Sequence, residues 1–133
     1  KFFAIQHYGR PEIDGAAHRL KITGLVDKPM ELSVADLKAM PSMDMVAGYE
    51  CSGNSARIYQ GLASNGRWTG VPLRDVLKSV GVKPKAREVI FFGADKQEEN
   101  VVFRQQTFAV EQQFGRSMSM ENAMGKPRSA ADR

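Results

Sequence analysis

Cysteine and histidine are scarce in this chain: Cys51 is the only cysteine and His7 and His18 are the only histidines among 133 residues. One cysteine excludes an internal disulfide and a multi-cysteine zinc or iron–sulfur site. Long apolar runs are missing too, and nothing reaches the roughly 18 residues that a membrane-spanning helix needs. No dense block of one charge occurs. Lys and Arg outnumber Asp and Glu by 19 to 15, for a net charge of +4, but the two signs alternate along the chain. That pattern lacks the basic patch with interleaved aromatics that nucleic acid requires. A few cations converging on a small anion, such as phosphate or sulfate, fit it better. The chain opens on Lys1-Phe2-Phe3 with no initiator methionine, basic leader or cleavage site. The expectation is a removed signal segment or a piece of something longer. What is present is ordinary globular composition, 42% hydrophobic and 26% charged, on the scale of one modest domain.

Periodicity suggests the following order. Residues 1–8 read as an extended opening segment broken by Gly9-Arg10-Pro11. Residues 18–26 alternate polar and apolar, the mark of a half-buried strand, and 30–32 read as a short return strand. Ser33 is an N-cap with Asp36 as acidic partner, starting a short helix that Pro41 ends. Residues 43–49 form the next strand, and 59–65 are open between helical turn and loop. Pro72 stands at a first helical position. Leu73, Val76, Leu77 and Val80 then mark an amphipathic helix closed by Gly81. Residues 88–93 read as a strand ending at Gly93-Ala94-Asp95. A strand followed by a helix is expected over 101–112, with a helical turn over 118–124. Residues 125–133 hold no apolar side chain larger than alanine and read as a frayed tail.

The densest chemical signal is Gly48-Tyr49-Glu50-Cys51-Ser52-Gly53-Asn54-Ser55-Ala56-Arg57. A free cysteine is often simply a small buried hydrophobe. Here small and polar neighbours make a poor core but a good loop with available N–H groups, and Arg57 is placed to support a thiolate. A nucleophilic cysteine wants a histidine base, which only His7 or His18 could supply. Arg67 reads as solvated and Trp68 as core when each is taken singly. Asp95 follows an apolar strand, where either a turn aspartate or a ligand-facing carboxylate fits.

Several motifs occur together in one order. They are His7 in the opening segment, Pro11-Glu12-Ile13-Asp14, Gly24-Leu25-Val26-Asp27-Lys28-Pro29, Leu32-Ser33-Val34-Ala35-Asp36-Leu37 and Met40-Pro41. Glu50-Cys51-Ser52-Gly53-Asn54, Trp68-Thr69-Gly70-Val71-Pro72-Leu73, Asp75-Val76-Leu77 and Gly93-Ala94-Asp95 follow. The set resembles the molybdopterin-binding domain of the sulfite oxidase family, particularly its bacterial sulfite dehydrogenase-like members, up to about Ala123. The paired cysteine and tryptophan motifs are its most specific part.

The resemblance implies an α+β fold, a mixed β-sheet domain with short helices. It implies molybdenum held by a pyranopterin dithiolene and one protein thiolate, which maps onto Cys51. His7, Ser52, Asn54 and Asp95 map onto cofactor-binding positions. Arg57 maps onto an oxyanion-binding arginine, although it falls one residue later than the family spacing. Ile5 and Gln6 replace the family's arginine and asparagine, which removes one cation. The implied activity is oxygen-atom transfer to or from a small sulfur oxyanion, with electrons passed to an acceptor such as a cytochrome. A periplasmic location and a homodimer through a region absent here also follow from the resemblance. Residues 1–124 would be a partial cofactor domain and 125–133 a frayed or diverted tail. Two other readings stand beside it: a truncated, non-catalytic remnant that cannot hold the cofactor alone, and a Cys–His hydrolase.

Overall fold

The computed structural model describes residues 8–51 and 62–125. Among these residues six strands and three short helices follow one another, a sheet-rich arrangement with few short helices, as the α+β reading expects. Every strand pairs with its neighbour in sequence, giving three two-stranded antiparallel ribbons.

The first ribbon joins β1 (Arg19–Ile22) to β2 (Met30–Ser33), in register from Arg19↔Ser33 to Ile22↔Met30. The strand expected over 18–26 stops at Ile22. Gly24 sits at φ +93°, a left-handed conformation that ends the extended run. Beyond it the chain turns to dock elsewhere: the backbone N–H groups of Asp27 and Lys28 donate to the Val80 carbonyl at 3.1 and 3.0 Å. Helix α1 (Val34–Ala39) begins at the expected cap. Ser33 Oγ accepts from the Asp36 N–H at 3.0 Å, and the Ser33 N–H donates to Asp36 Oδ2 at 2.8 Å. These reciprocal bonds satisfy two of the donors that every helix start leaves open.

The second ribbon pairs β3 (Met43–Glu50) with β4 (Ala63–Gly70), in register from Met43↔Gly70 to Glu50↔Ala63. Residues 63–65, undecided in the sequence, are therefore strand. Helix α2 (Leu73–Val80) follows, with Pro72 one residue earlier than expected, at the N-cap. Gly81 closes the helix at φ +67°. A Cβ there would come within 2.7 Å of Asp27 Oδ2, so both conformation and space favour glycine.

The third ribbon is much the longest. Strand β5 (Glu88–Phe103) pairs with β6 (Gln106–Ser119) through a turn at Arg104 and Gln105, which leads into α3 (Met120–Ala123). The expected strand-then-helix over 101–112 is thus a hairpin. Arg104 and Gln105 take φ values of +50° and +64°, the left-handed pair that a two-residue turn requires.

The core is small. Among the described residues, Val26, Val76, Leu77, Val80 and Ala123 are the buried apolar side chains. Three come from the α2 stripe at the predicted spacing, one from the 24–28 turn and one from α3.

Candidate functional site

Cys51 is held by backbone geometry. Its N–H donates to the Leu62 carbonyl at 3.1 Å, one step beyond the last β3–β4 rung, and it is the last described residue on the β3 side. Its side chain is half-buried. Strand alternation puts Met45, Ala47 and Tyr49 on one face with Trp68, and Cys51 occupies the next place in that alternation. The ribbon is stitched below the cysteine. Trp68 Nε1 donates to the Ala47 carbonyl at 3.3 Å, Thr69 Oγ1 donates to Asp44 Oδ1, and the Tyr49 and Trp68 rings lie 6.1 Å apart at a tilt of 59°. At the same end, Gly48, Tyr49, Glu50, Ala63, Ser64 and Asn65 line an open cleft of about 470 Å³.

Asp95 lies elsewhere in the chain and in a different setting from the one expected. It is not at the end of a strand but inside β5, in an irregularity between Phe92 and Lys96 where the β5–β6 register shifts. Three β5 residues, 93–95, stand against the single β6 residue Phe114, and these two extra residues bend the ribbon and re-aim side chains without ending the strand, which is why Gly93-Ala94 does not act as a stop. Gln113 Nε2 donates to the Gly93 carbonyl at 2.6 Å and holds the distortion. A Cβ on Gly93 would collide with Asp95 Oδ1, so the half-buried carboxylate folds back over that glycine.

Tyr8, the first described residue, lies within electrostatic reach of the same ribbon: its pKa is raised above 10.0, first by desolvation and then by the nearby carboxylates of Glu99 and Asp95. Sequence reasoning did not single out Tyr8 or Glu99. A tyrosine near a broken opening segment and a glutamate in a polar stretch carry no local signal of proximity.

His7, Ser52, Asn54 and Arg57 lie outside the described residues. So does the histidine a Cys–His hydrolase would most need. His18 is described, with its N–H bonded to the Asp14 carbonyl at 2.8 Å just ahead of β1.

The donor set can be tested against a molybdenum cofactor. Among the described residues no group of three or more His, Cys, Asp or Glu side chains converges as a metal cage. A half-buried thiol on a fixed backbone suits a metal held mainly by its own organic cofactor, with one soft protein ligand. The residues fit that arrangement.

Comparison with known proteins gives the same direction. A family profile described as oxidoreductase molybdopterin binding domain matches residues 7–131. The chain is 30% identical over 121 residues to a sulfite oxidase of Arabidopsis thaliana, covering 74% of this chain and 30% of that protein. It is 34% identical over 97 residues to an NADH nitrate reductase of Ulva prolifera, covering 64% of this chain and 11% of that one. Among solved structures, the sulfane dehydrogenase SoxCD from Paracoccus pantotrophus superposes with a TM-score of 0.67 at 27% identity, over 90% of this chain and 30% of that chain. The chain therefore spans three tenths or less of the length of these relatives.

Proposed function

The chain belongs to the oxidoreductase molybdopterin-binding domain family, and from that premise we propose that it is part of an enzyme acting on a small sulfur oxyanion, with Cys51 as the protein ligand to molybdenum. The family's cofactor is a molybdopterin, whose metal supplies two-electron oxygen-atom transfer chemistry. The chain's own residues supply a ligand, a cation and orientation. Cys51 offers a soft thiolate at a position fixed by the Leu62 carbonyl. Arg57 is the cation assigned to the oxyanion. His7, Ser52, Asn54 and Asp95 are assigned to the cofactor itself. Electrons leave to an external acceptor such as a cytochrome, in a periplasmic setting. Dimer contacts would come from a region outside these residues.

The observation that carries this reading is the placement of the single thiol at the mouth of the β3–β4 ribbon, beside the cleft and with no competing cage of ligands among the described residues. Expression with a supply of molybdenum cofactor, followed by metal and pterin analysis of the purified chain, tests it. Molybdenum and pterin in equal amounts are expected. Their joint absence from the chain and from its longest native form would sink the reading and favour the non-catalytic remnant.

A further inference from the structure

We propose that the ring of Tyr49, positioned by Trp68, is the wall against which the flat pterin of the cofactor lies, a role that rests on the Cys51 reading above. The β3–β4 ribbon has two unlike faces. Met43, Met45, Ala47 and Tyr49 share one face with Ser64 and Trp68, as the pairs Met45↔Trp68 and Tyr49↔Ser64 require. The other face carries the charged and polar side chains of Asp44, Glu50, Asn65, Arg67 and Thr69. Cys51 extends the ladder by one step and takes the next place on the apolar face. That face stays partly open to solvent, with Tyr49 39% and Trp68 42% exposed.

Tyr49 precedes Cys51 by two residues, roughly 7 Å along an extended strand. The dithiolene joins the pterin to the metal, so a metal ligated by Cys51 keeps the fused rings within reach of this face. Trp68 sets the tyrosine ring. Its Nε1 donates to the Ala47 carbonyl at 3.3 Å, and the two rings lie 6.1 Å apart at a tilt of 59°, within the range of favourable aromatic pairs. Tyr49 also lines the open cleft of about 470 Å³, with the small residues Gly48, Ala63 and Ser64 beside it. Ligand sites combine aromatic walls with a few polar groups, and Ser64 brings a hydroxyl across the ladder from Tyr49. A heteroaromatic ring presents a π face that stacks on an aromatic side chain whatever its substituents.

The test compares cofactor-loaded with cofactor-free protein. Trp68 is the only tryptophan in the chain, so acrylamide quenching of its emission reads the exposure of this face. Loading is expected to reduce that quenching, whereas a face covered by polypeptide would be quenched equally in both states. Release of pterin from loaded protein is then timed for wild type, Tyr49→Phe, Tyr49→Leu, Trp68→Leu, the double leucine variant and a control on the other face, Val46→Thr. Tyr49→Leu is expected to release pterin about tenfold faster, the order that stacking one ring carries. Tyr49→Phe keeps the ring and should match wild type, as should the control. Trp68→Leu should fall between, and the double variant should be no faster than Tyr49→Leu, because Trp68 acts through Tyr49. The quenching arm needs no variant, so it decides the question even where a substitution unfolds the ribbon. Equal quenching before and after loading, wild-type release from Tyr49→Leu, or release from Tyr49→Phe as fast as from Tyr49→Leu would overturn the proposal. Wild type that takes up neither molybdenum nor pterin would overturn it together with the Cys51 reading. Loss of a sulfur ligand in Cys51→Ser with unchanged release from Tyr49→Leu would overturn the wall alone.

Discussion

The α2 end of the molecule and its two long ribbons are built on opposite principles. At α2, backbone bonds to the helix C-terminus lock the 24–28 turn in place, and Val26, Val76, Leu77 and Val80 are buried, as is Ala123 of α3. Along β3–β4 and β5–β6 the reverse holds: Val46 is 74% exposed, Val102 69% and Phe92 65%. Burial of a valine or leucine side chain is worth about 1.5–3 kcal/mol, so cohesion concentrates where those side chains are covered. Two-stranded ribbons are marginal by themselves. They hold their shape through ladder bonds and a few side-chain stitches. The two described candidate residues, Cys51 and Asp95, sit at the end of β3 and within β5.

The comparison can be broken most forcefully at α2. Leu77→Ala should destabilise the packed end by about 2–5 kcal/mol, read from the shift of a denaturant unfolding midpoint followed by far-UV circular dichroism. If the ribbons carried the stability, the midpoint would hardly move. A smaller effect is expected from Trp68→Phe, which keeps the ring but removes the Nε1 donor to Ala47. About 0.5–1.5 kcal/mol should be lost, confined to β3–β4 and seen as faster amide exchange there while α2 keeps its protection.

The smallest effect sharpens the comparison at α1. Asp36 has its pKa lowered, first by the Ser33 hydroxyl and then by the Ser33 N–H. Its contribution is therefore complete above the ordinary carboxylate pKa and fades as pH falls through the lowered value. Ser33→Ala should cost about 1 kcal/mol near neutral pH. Its difference from wild type should shrink in acid, measured by thermal unfolding at a series of pH values. A difference that grew toward low pH would contradict the cap.

The helices α1 and α2 were the legible part of the sequence. The Ser33–Asp36 cap, the Val76, Leu77 and Val80 stripe and the Gly81 stop are local signals, and local bonds decide those elements. The ribbons were less readable. Strand β4 begins Ala63-Ser64-Asn65-Gly66, with no β-branched or aromatic residue, and is strand because β3 supplies its ladder. The hairpin turn hid behind Arg104 and Gln105, where glycine or asparagine would have announced the positive φ values. Gly93-Ala94-Asp95 looked like a strand end because a bulge and a stop share the same small and polar residues. Cys51 stood out at once as the single thiol. Its backbone anchor on Leu62 came only from the fold.

The central claim is that this thiol is the protein's ligand to molybdenum. Molybdenum-edge X-ray absorption on cofactor-loaded protein, comparing wild type with Cys51→Ser, tests it most directly by counting sulfur neighbours of the metal. The account predicts that the variant shows fewer sulfur ligands, with the pterin content unchanged. An identical sulfur shell in both proteins would contradict it.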